Sequence, residues 1–300
     1  MAALLLTGTL SLPWLAGYDE PFRELVVTWI TVLLAVIVIC FLVSEMTRNY
    51  SQVDKLWSLL PPVYSWVTVA AVPTARTVIM ALLVTIWGLR LSYNFNRKGG
   101  YSIIPWKGEE DYRWKILRES PALRGRLRFG LFNLLFISLY QNIIILLFTT
   151  PILMAALHPE APLAITDIVA GILMLSFLII ETVADNQQFR FQTMKRSPSD
   201  ATHEFGDSLR KGFLTEGLWK YSRHPNFASE QAIWISFYLF GVAASGKWIN
   251  FTILGPVLLV LLFIGSSIMT EKISSSKYQE YSAYQEEVPK FIPRIIRKNN

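Results

Sequence analysis

Gly217-Leu218-Trp219-Lys220-Tyr221-Ser222-Arg223-His224-Pro225-Asn226-Phe227-Ala228-Ser229-Glu230 lies between long apolar runs, yet it holds Lys220, Tyr221, Arg223, His224, Asn226 and Glu230. An uncompensated charge in the hydrocarbon of a bilayer costs about 2.5–3.5 kcal/mol on insertion scales. An Arg-His pair closed by a proline therefore faces water, an opposite charge or a ligand at the membrane edge. The apolar runs on either side of it read as membrane helices.

Outward from that stretch the same pattern repeats. The 300-residue chain is 52% hydrophobic and 17% charged, where soluble domains carry about 25% charge. Runs 25–43, 56–72, 77–95, 129–157, 163–184, 231–244 and 248–270 approach the ~20 residues that a membrane helix needs. Pro61 and Pro62 bend the second, Arg90 sits in the last turns of the third, and Gln141 and Asn142 occupy the middle of the fourth. Residues 3–16 are apolar but short and interrupted by Pro13, and read as an interfacial helix. The fold class expected is all-α: one integral membrane domain over 1–300, a polytopic bundle of about seven transmembrane helices.

With seven spans, segments 44–55, 97–128, 185–230 and 271–300 share one side and hold 24 of the 28 Lys and Arg residues. Positive residues mark the cytoplasmic side, so the polar segments and the C-terminus are expected there. The net charge of +6 is then topological and not the footprint of a nucleic-acid partner. A single cysteine, Cys40, excludes a disulfide framework. His158, His203 and His224 have no ligand spacing, so no metal is expected. No Gly-x-Gly-x-x-Gly, P-loop or Gly-x-Ser-x-Gly occurs, which leaves Rossmann, NTPase and serine-hydrolase readings without support. Tyr278, Tyr281 and Tyr284 recur every third residue, a spacing that predicts a helix on the membrane surface.

Four polar clusters stand out on the cytoplasmic side. In the first, Asp54 enters a span, where the bland role is a carboxylate at the positive end of a helix dipole. In the second, Arg90, Tyr93, Asn94 and Arg97 share one helix face at i, i+3, i+4 and i+7, followed by Glu109 to Arg113; a polar stripe within a span faces a bundle interior or a wet cavity. The third is Glu181 and Asp185 with Arg190. The fourth joins the opening stretch to Glu271, Lys272 and Tyr278. Arginine, histidine, lysine and asparagine suit phosphates, while Asp185 and Glu230 suit ribose hydroxyls or an adenine amino group. The mixture fits a nucleotide better than a metal.

The chain resembles the steroid 5α-reductase-like membrane enzymes, most of all their bacterial-type branch, formerly labelled a domain of unknown function. The resemblance covers roughly Val53 to Pro293. It rests on Val53-Asp54-x-x-Trp57, Arg90-Leu91-x-Tyr93, Glu110-Asp111-Tyr112-Arg113, Ala184-Asp185-x-Gln187, the Gly217 to Glu230 stretch, and Tyr281-x-x-Tyr284 with Phe291-Ile292-Pro293. It departs at Ala228-Ser229, where such proteins often carry a bulkier residue and a glycine. The resemblance implies that the cytoplasmic half of the bundle, approximately 181–300, holds NADPH, and that a lipid-accessible cavity holds a hydrophobic enone. It places Asn94, Arg97, Asp185, Arg190, Tyr221, Arg223, His224, Asn226, Glu230, Glu271 and Tyr278 at the cofactor, and makes Asp54 and Tyr93 the catalytic pair that polarises the substrate carbonyl.

The implied activity is of the 3-oxo-5α-steroid 4-dehydrogenase type, acting on CH–CH groups of a steroid or another lipid. Hydride attack on an enone builds negative charge on the carbonyl oxygen, and a tyrosine hydroxyl or a neutral carboxylic acid stabilises it by donating a hydrogen bond. The expected partners are a hydrophobic small molecule or lipid substrate and membrane lipids, in a monomer of a bacterial inner membrane or the endoplasmic reticulum. The alternative is an S-adenosylmethionine-dependent lipid or isoprenylcysteine methyltransferase, whose relatives share Arg-His-Pro-x-Phe/Tyr and an acidic tail with Tyr-x-x-Tyr. Glu271 followed by Lys272 departs from their paired glutamates, and Asp185 with Val53-Asp54-x-x-Trp57 favours the reductase. A transporter or scaffold would leave the cytoplasmic cluster without a role.

Overall fold

A computed structural model describes residues 15–102, 104, 108–196 and 205–293. The interfacial helix expected at 3–16 lies almost wholly outside the described residues, as do 197–204 of the polar loop that precedes Gly212. The described elements are helices: α1 (Glu20–Thr47), α2 (Gln52–Trp57), α3 (Leu60–Ala71), α4 (Ala75–Asn96), α5 (Tyr112–Glu119), α6 (Arg126–Thr149), α7 (Pro151–Leu157), α8 (Ile165–Arg196), α9 (Gly206–Lys211), α10 (Pro225–Ser245), α11 (Leu254–Lys277) and α12 (Tyr281–Glu287). No strand occurs among the described residues.

Five of these, α1, α4, α6, α8 and α11, are long and apolar enough to cross a membrane. Their outward faces are greasy. Leu34, Val38 and Leu42 on α1, Ile172, Leu175 and Ile179 on α8, and Leu261, Ile264 and Ile268 on α11 are exposed at helical spacing. Apolar stripes of that extent are unfavourable in water and natural in lipid. Five such helices are compatible with a multi-pass membrane protein.

The prolines decide where the remaining expected runs break. The 56–72 run is divided: α2 ends at Trp57, and α3 starts at Leu60 with prolines in its first turn, where the missing N–H costs no helical bond. At 12 residues, α3 extends about 18 Å, short of the ~30 Å hydrocarbon core. The 129–157 run stops at Thr149 and restarts at Pro151 as α7. Within α6, Asn133–Tyr140 winds as a π-helix.

The chain packs as two compact units. The first takes residues 15–168 with Tyr238–Gly255, and the second takes Val169–Phe237 with 256–293. In the first unit, Trp29 packs on Tyr64 with ring centroids 4.6 Å apart, and Trp57 on Phe148 at 5.4 Å. Gly88 lets α4 approach the α2–α3 junction, because a Cβ there would lie 2.6 Å from the Ser58 carbonyl oxygen. In the second, Phe213, Tyr281 and Tyr284 form one buried cluster. That corrects the membrane-surface reading of the tyrosine repeat: all three rings pack on Phe213, Tyr281 and Tyr284 buried at 5.0 and 5.4 Å and Tyr278 partly buried at 5.6 Å, because a phenylalanine is available to cover them.

Arg76 falls between the 56–72 and 77–95 runs, a position that reads as loop charge, but it is a core residue. Its Nε and Nη2 donate to Asp167 at 2.8 and 2.9 Å, and Nη1 donates to the Ala161 carbonyl at 3.0 Å. Asp167 also accepts from the Ala164 N–H at 2.8 Å. The two side chains are 3% and 5% exposed. Breaking a buried pair strands its partner, so Arg76→Ala is expected to lower unfolding stability by about 3–5 kcal/mol. Arg76→Met with Asp167→Leu should restore most of it, and denaturation in detergent measures both.

Candidate functional site

The Gly217 to Glu230 stretch folds onto two neighbours within the second unit. Its first turn docks on α8: the Leu218 N–H donates to Gln187 Oε1 at 3.0 Å, and Trp219 Nε1 donates to the Ala184 carbonyl at 3.2 Å. Gly217 has φ +61°, and a Cβ there would meet Gln187 Nε2 at 2.4 Å, so the docking needs glycine for both conformation and space. The Tyr284 hydroxyl closes the turn by donating to the Trp219 carbonyl at 2.5 Å.

The Ser-Arg-His segment is bound to the C-terminal tail. The Arg223 and His224 N–H groups donate to the Pro289 and Lys290 carbonyls at 2.9 and 3.1 Å. Below them sits Glu271 of α11. It accepts from Arg223 Nε at 2.7 Å and from Gln285 Nε2 at 3.1 Å, and its Oε1 lies 3.0 Å from His224 Nε2. Lys290 Nζ is 3.6 Å from the same carboxylate. Arg223 Nη1 also donates to the carbonyls of Gln285 and Val288. The tail is thus held by one buried carboxylate and the cations around it. The His224 ring stacks on Phe227, 5.2 Å away at 16°.

Pro225 opens α10 and the next polar residues project from its first turns. Asn226 Oδ1 accepts from the Phe227 N–H at 3.0 Å, which turns Nδ2 to donate to Asp185 Oδ1 at 3.2 Å. Glu230 is buried and accepts from Trp234 Nε1 at 3.0 Å, one turn along. On α8, Gln188 shares the face of Asp185 at i, i+3; its Oε1 is buried with no hydrogen-bond partner among the described residues. Further along that face, Lys195 donates to the Gly212 carbonyl and to the Tyr278 hydroxyl. Burial would raise the Tyr278 hydroxyl, but the Lys195 ammonium outweighs it and holds the pKa below the usual phenol value. Arg190 and Tyr221 lie at the surface.

The first unit builds its own polar centre. Asn49 Nδ2 donates to the Gly108 carbonyl at 2.7 Å, the Tyr50 N–H to Glu110 Oε1 at 3.0 Å, and the Asp111 N–H to Ser51 Oγ at 2.9 Å. Asp111 caps α5 and holds Arg113 through Nε and Nη2 at 2.9 and 2.7 Å. Asp54, brought alongside, accepts from Trp114 Nε1 at 3.2 Å. Burial pushes the Asp54 carboxyl up, the Asp111 charge adds to it, and Arg113, Ser51 and Trp114 oppose it without prevailing. The bland helix-dipole role would favour the ionised form; burial wins. Asp111 itself is pushed up by burial, yet its bonds to Arg113 bring it below the ordinary range. On α4, Arg97 Nε and Nη2 both donate to Asn94 Oδ1, at 2.9 and 2.7 Å, and the guanidinium lies 5.5 Å over the exposed Tyr93 ring.

The structure therefore joins Asp185 with Asn226, Arg223 and His224 with Glu271, and Tyr93 with Asn94 and Arg97. Trp114, Gln188, Lys195 and Gln285 escaped the sequence reading. Only Gln187 of this neighbourhood lay in a quoted motif; the others are common residue types with no spacing signal. Among the described residues, no three His, Cys, Asp or Glu side chains gather as a metal site requires.

Comparison with known proteins adds a family. The family model described as "Protein of unknown function (DUF1295)" matches residues 40–288, and the chain belongs to that family. "Uncharacterized protein C594.04c" of Schizosaccharomyces pombe is 38% identical over 266 residues, covering 84% of this chain and 75% of that protein. No solved structure shows a significant match.

Removing the carboxylate at the centre of the second unit should free the tail. Glu271→Ala is expected to cost about 3–5 kcal/mol, because it strands a buried arginine. Limited proteolysis should then cut between 280 and 293, a region that the parent protein protects.

Proposed function

We propose that this member of the DUF1295 family is a membrane-embedded, NADPH-dependent reductase of a carbon–carbon double bond conjugated to a carbonyl in a steroid or another hydrophobic lipid. The observation that carries the reading is Asp54, a carboxyl driven toward its neutral form by burial and by the neighbouring Asp111. Reduction of an enone needs a hydrogen-bond donor where negative charge develops, and a carboxylic acid kept neutral is such a donor. Trp114 Nε1 donates to Asp54 Oδ2, and in this reading the neutral acid offers its proton to the substrate carbonyl oxygen. Tyr93 is the second donor in this reading, with the Arg97 guanidinium 5.5 Å from its ring centroid.

The second unit carries a donor set that fits a dinucleotide. Asp185 and the unpartnered Gln188 Oε1 accept from hydroxyl or amino groups, Asn226 donates, and Arg190 and Lys220 are exposed cations for phosphates. Arg223, His224 and Glu271 would hold the walls of that site. NADPH, when bound, supplies the hydride. The proposal completes seven crossings with the 56–72 segment and α10, leaves Asp54 at the membrane edge, and puts the C-terminus in the cytoplasm, in keeping with the side that holds 24 of 28 Lys and Arg residues.

In a detergent thermal-shift assay, NADPH should stabilise the protein, with the effect lost in Asn226→Ala and Glu230→Ala. Stabilisation by S-adenosylmethionine in its place would make the protein a lipid or isoprenylcysteine methyltransferase and overturn the reductase reading.

The pH dependence has a definite sign. The neutral Asp54 acid is the active form, so turnover of an enone should fall as pH rises through its raised pKa. Asp54→Asn should remove that limb and lower the rate by about 10²–10³. Ionising Asp54 is costlier in the folded protein than in the unfolded chain, so stability should also decline with pH between the ordinary carboxylate value and the raised one. Asp54→Asn should flatten that decline in pH-dependent melting curves.

A further inference from the structure

Ser44 and Asn142 are wholly buried polar side chains of the first unit, and the reductase reading makes no use of them. They flank the Cys40 thiol. Helix α1 supplies Cys40 and, one turn on, Ser44; α6 supplies Ser138 from its π-helix and Asn142 one turn later. Asn142 is oriented by its own helix, for Nδ2 donates to the Ser138 carbonyl at 2.7 Å. Its Oδ1 is thereby turned away, and no described residue bonds to it.

Ser44 Oγ is likewise buried without a partner among the described residues. A helical serine can bond the carbonyl four residues back. Thr28, Thr31 and Thr47 do so on this same helix, and Ser44 does not. The polar atoms continue outward: Ser138 Oγ donates to Asn133 Oδ1 at 3.3 Å, and Asn133 Nδ2 donates to Glu45 Oε1 at 2.9 Å. Unmet polar groups are expensive in a protein interior and more so at membrane depth, where no bulk water can satisfy them. A π-helical turn, which itself needs a reason to persist, supplies one wall.

The geometry points to a binding site here for one neutral hydroxyl-type oxygen, accepting from Ser44 Oγ and donating to Asn142 Oδ1 beside the Cys40 thiol. A carbonyl oxygen cannot donate to the amide oxygen, and a charged group would lack a counter-charge at the thiol. Two carriers share the required chemistry: a buried water, and the hydroxyl of a hydrophobic lipid alcohol entering from the bilayer. The site rests on the first unit alone and is independent of nucleotide binding.

Cys40 is the only cysteine of the chain, so its S–H stretch gives a single infrared band beside the site. The test records that band for the full-length protein in detergent after transfer to D2O, with 1-dodecanol or with dodecane as the apolar control. A band that shifts with dodecanol and ignores dodecane identifies a lipid hydroxyl as the occupant. Rapid S–H to S–D exchange in the folded protein, without a dodecanol response, identifies water. Ser44→Ala should lower the melting midpoint, because it removes a bonded hydroxyl, and Asn142→Leu should abolish the dodecanol shift. A wild-type band that neither exchanges nor answers dodecanol overturns the site, as does a Ser44→Ala midpoint above wild type. The wild-type spectra decide the matter even if both variants misfold.

Discussion

The Glu271 carboxylate holds the second unit together. It lies on a membrane-length helix, where an isolated charge would be costly, and it is tolerated because Arg223, His224, Gln285 and Lys290 surround it. The arrangement is mutual. Arg223 is buried only because Glu271 and the carbonyls of Gln285 and Val288 accept from it. Such a knot contributes less to stability than its Coulomb energy suggests, since both charges were stripped of water. Its effect is on position: it ties the loop before α10 to the tail after α11, and from there Asn226 and Glu230 project.

The first unit reaches a comparable end by opposite means. Segment 49–54 is laced to segment 108–114 by bonds from Asn49, the Tyr50 and Asp111 N–H groups and Trp114, while Asp111 and Arg113 pair within the second segment. The ionised partner is Asp111, already satisfied, so Asp54 receives burial and a like charge without a full counter-charge of its own. Two carboxylates in one neighbourhood are pushed apart in acidity by which of them the arginine grips, an arrangement that assigns one to structure and leaves the other able to hold a proton.

Much of this was legible in the residues. The helices at 20–47, 75–96, 126–149, 165–196 and 251–277 lie over the apolar runs 25–43, 77–95, 129–157, 163–184 and 248–270, and the starts of α3 and α7 follow from prolines that cannot donate. The pairing of Asn94 with Arg97 is a helix repeat and could be read directly. Less legible was the fate of the tyrosines at 281 and 284, because a three-residue repeat fits a surface helix and a buried one equally, and only Phe213 decides between them. Arg76 is illegible for the same reason: a lone arginine between two apolar runs looks like loop charge until Asp167 is seen beside it.

What the sequence by itself determined is the set of quantities that depend on neighbours along the chain: hydropathy over twenty residues, proline breaks, the gathering of Lys and Arg between apolar runs, and the residue types gathered between Gly217 and Glu230. The tertiary structure alone decided which of those polar residues meet. Glu271 and Arg223 stand 48 residues apart, and Asp54 and Trp114 are separated by 60. Whether a carboxyl is gripped by arginine, faces an indole or is left to hold a proton depends on contacts within a few ångströms in space. Separation along the chain does not encode those contacts.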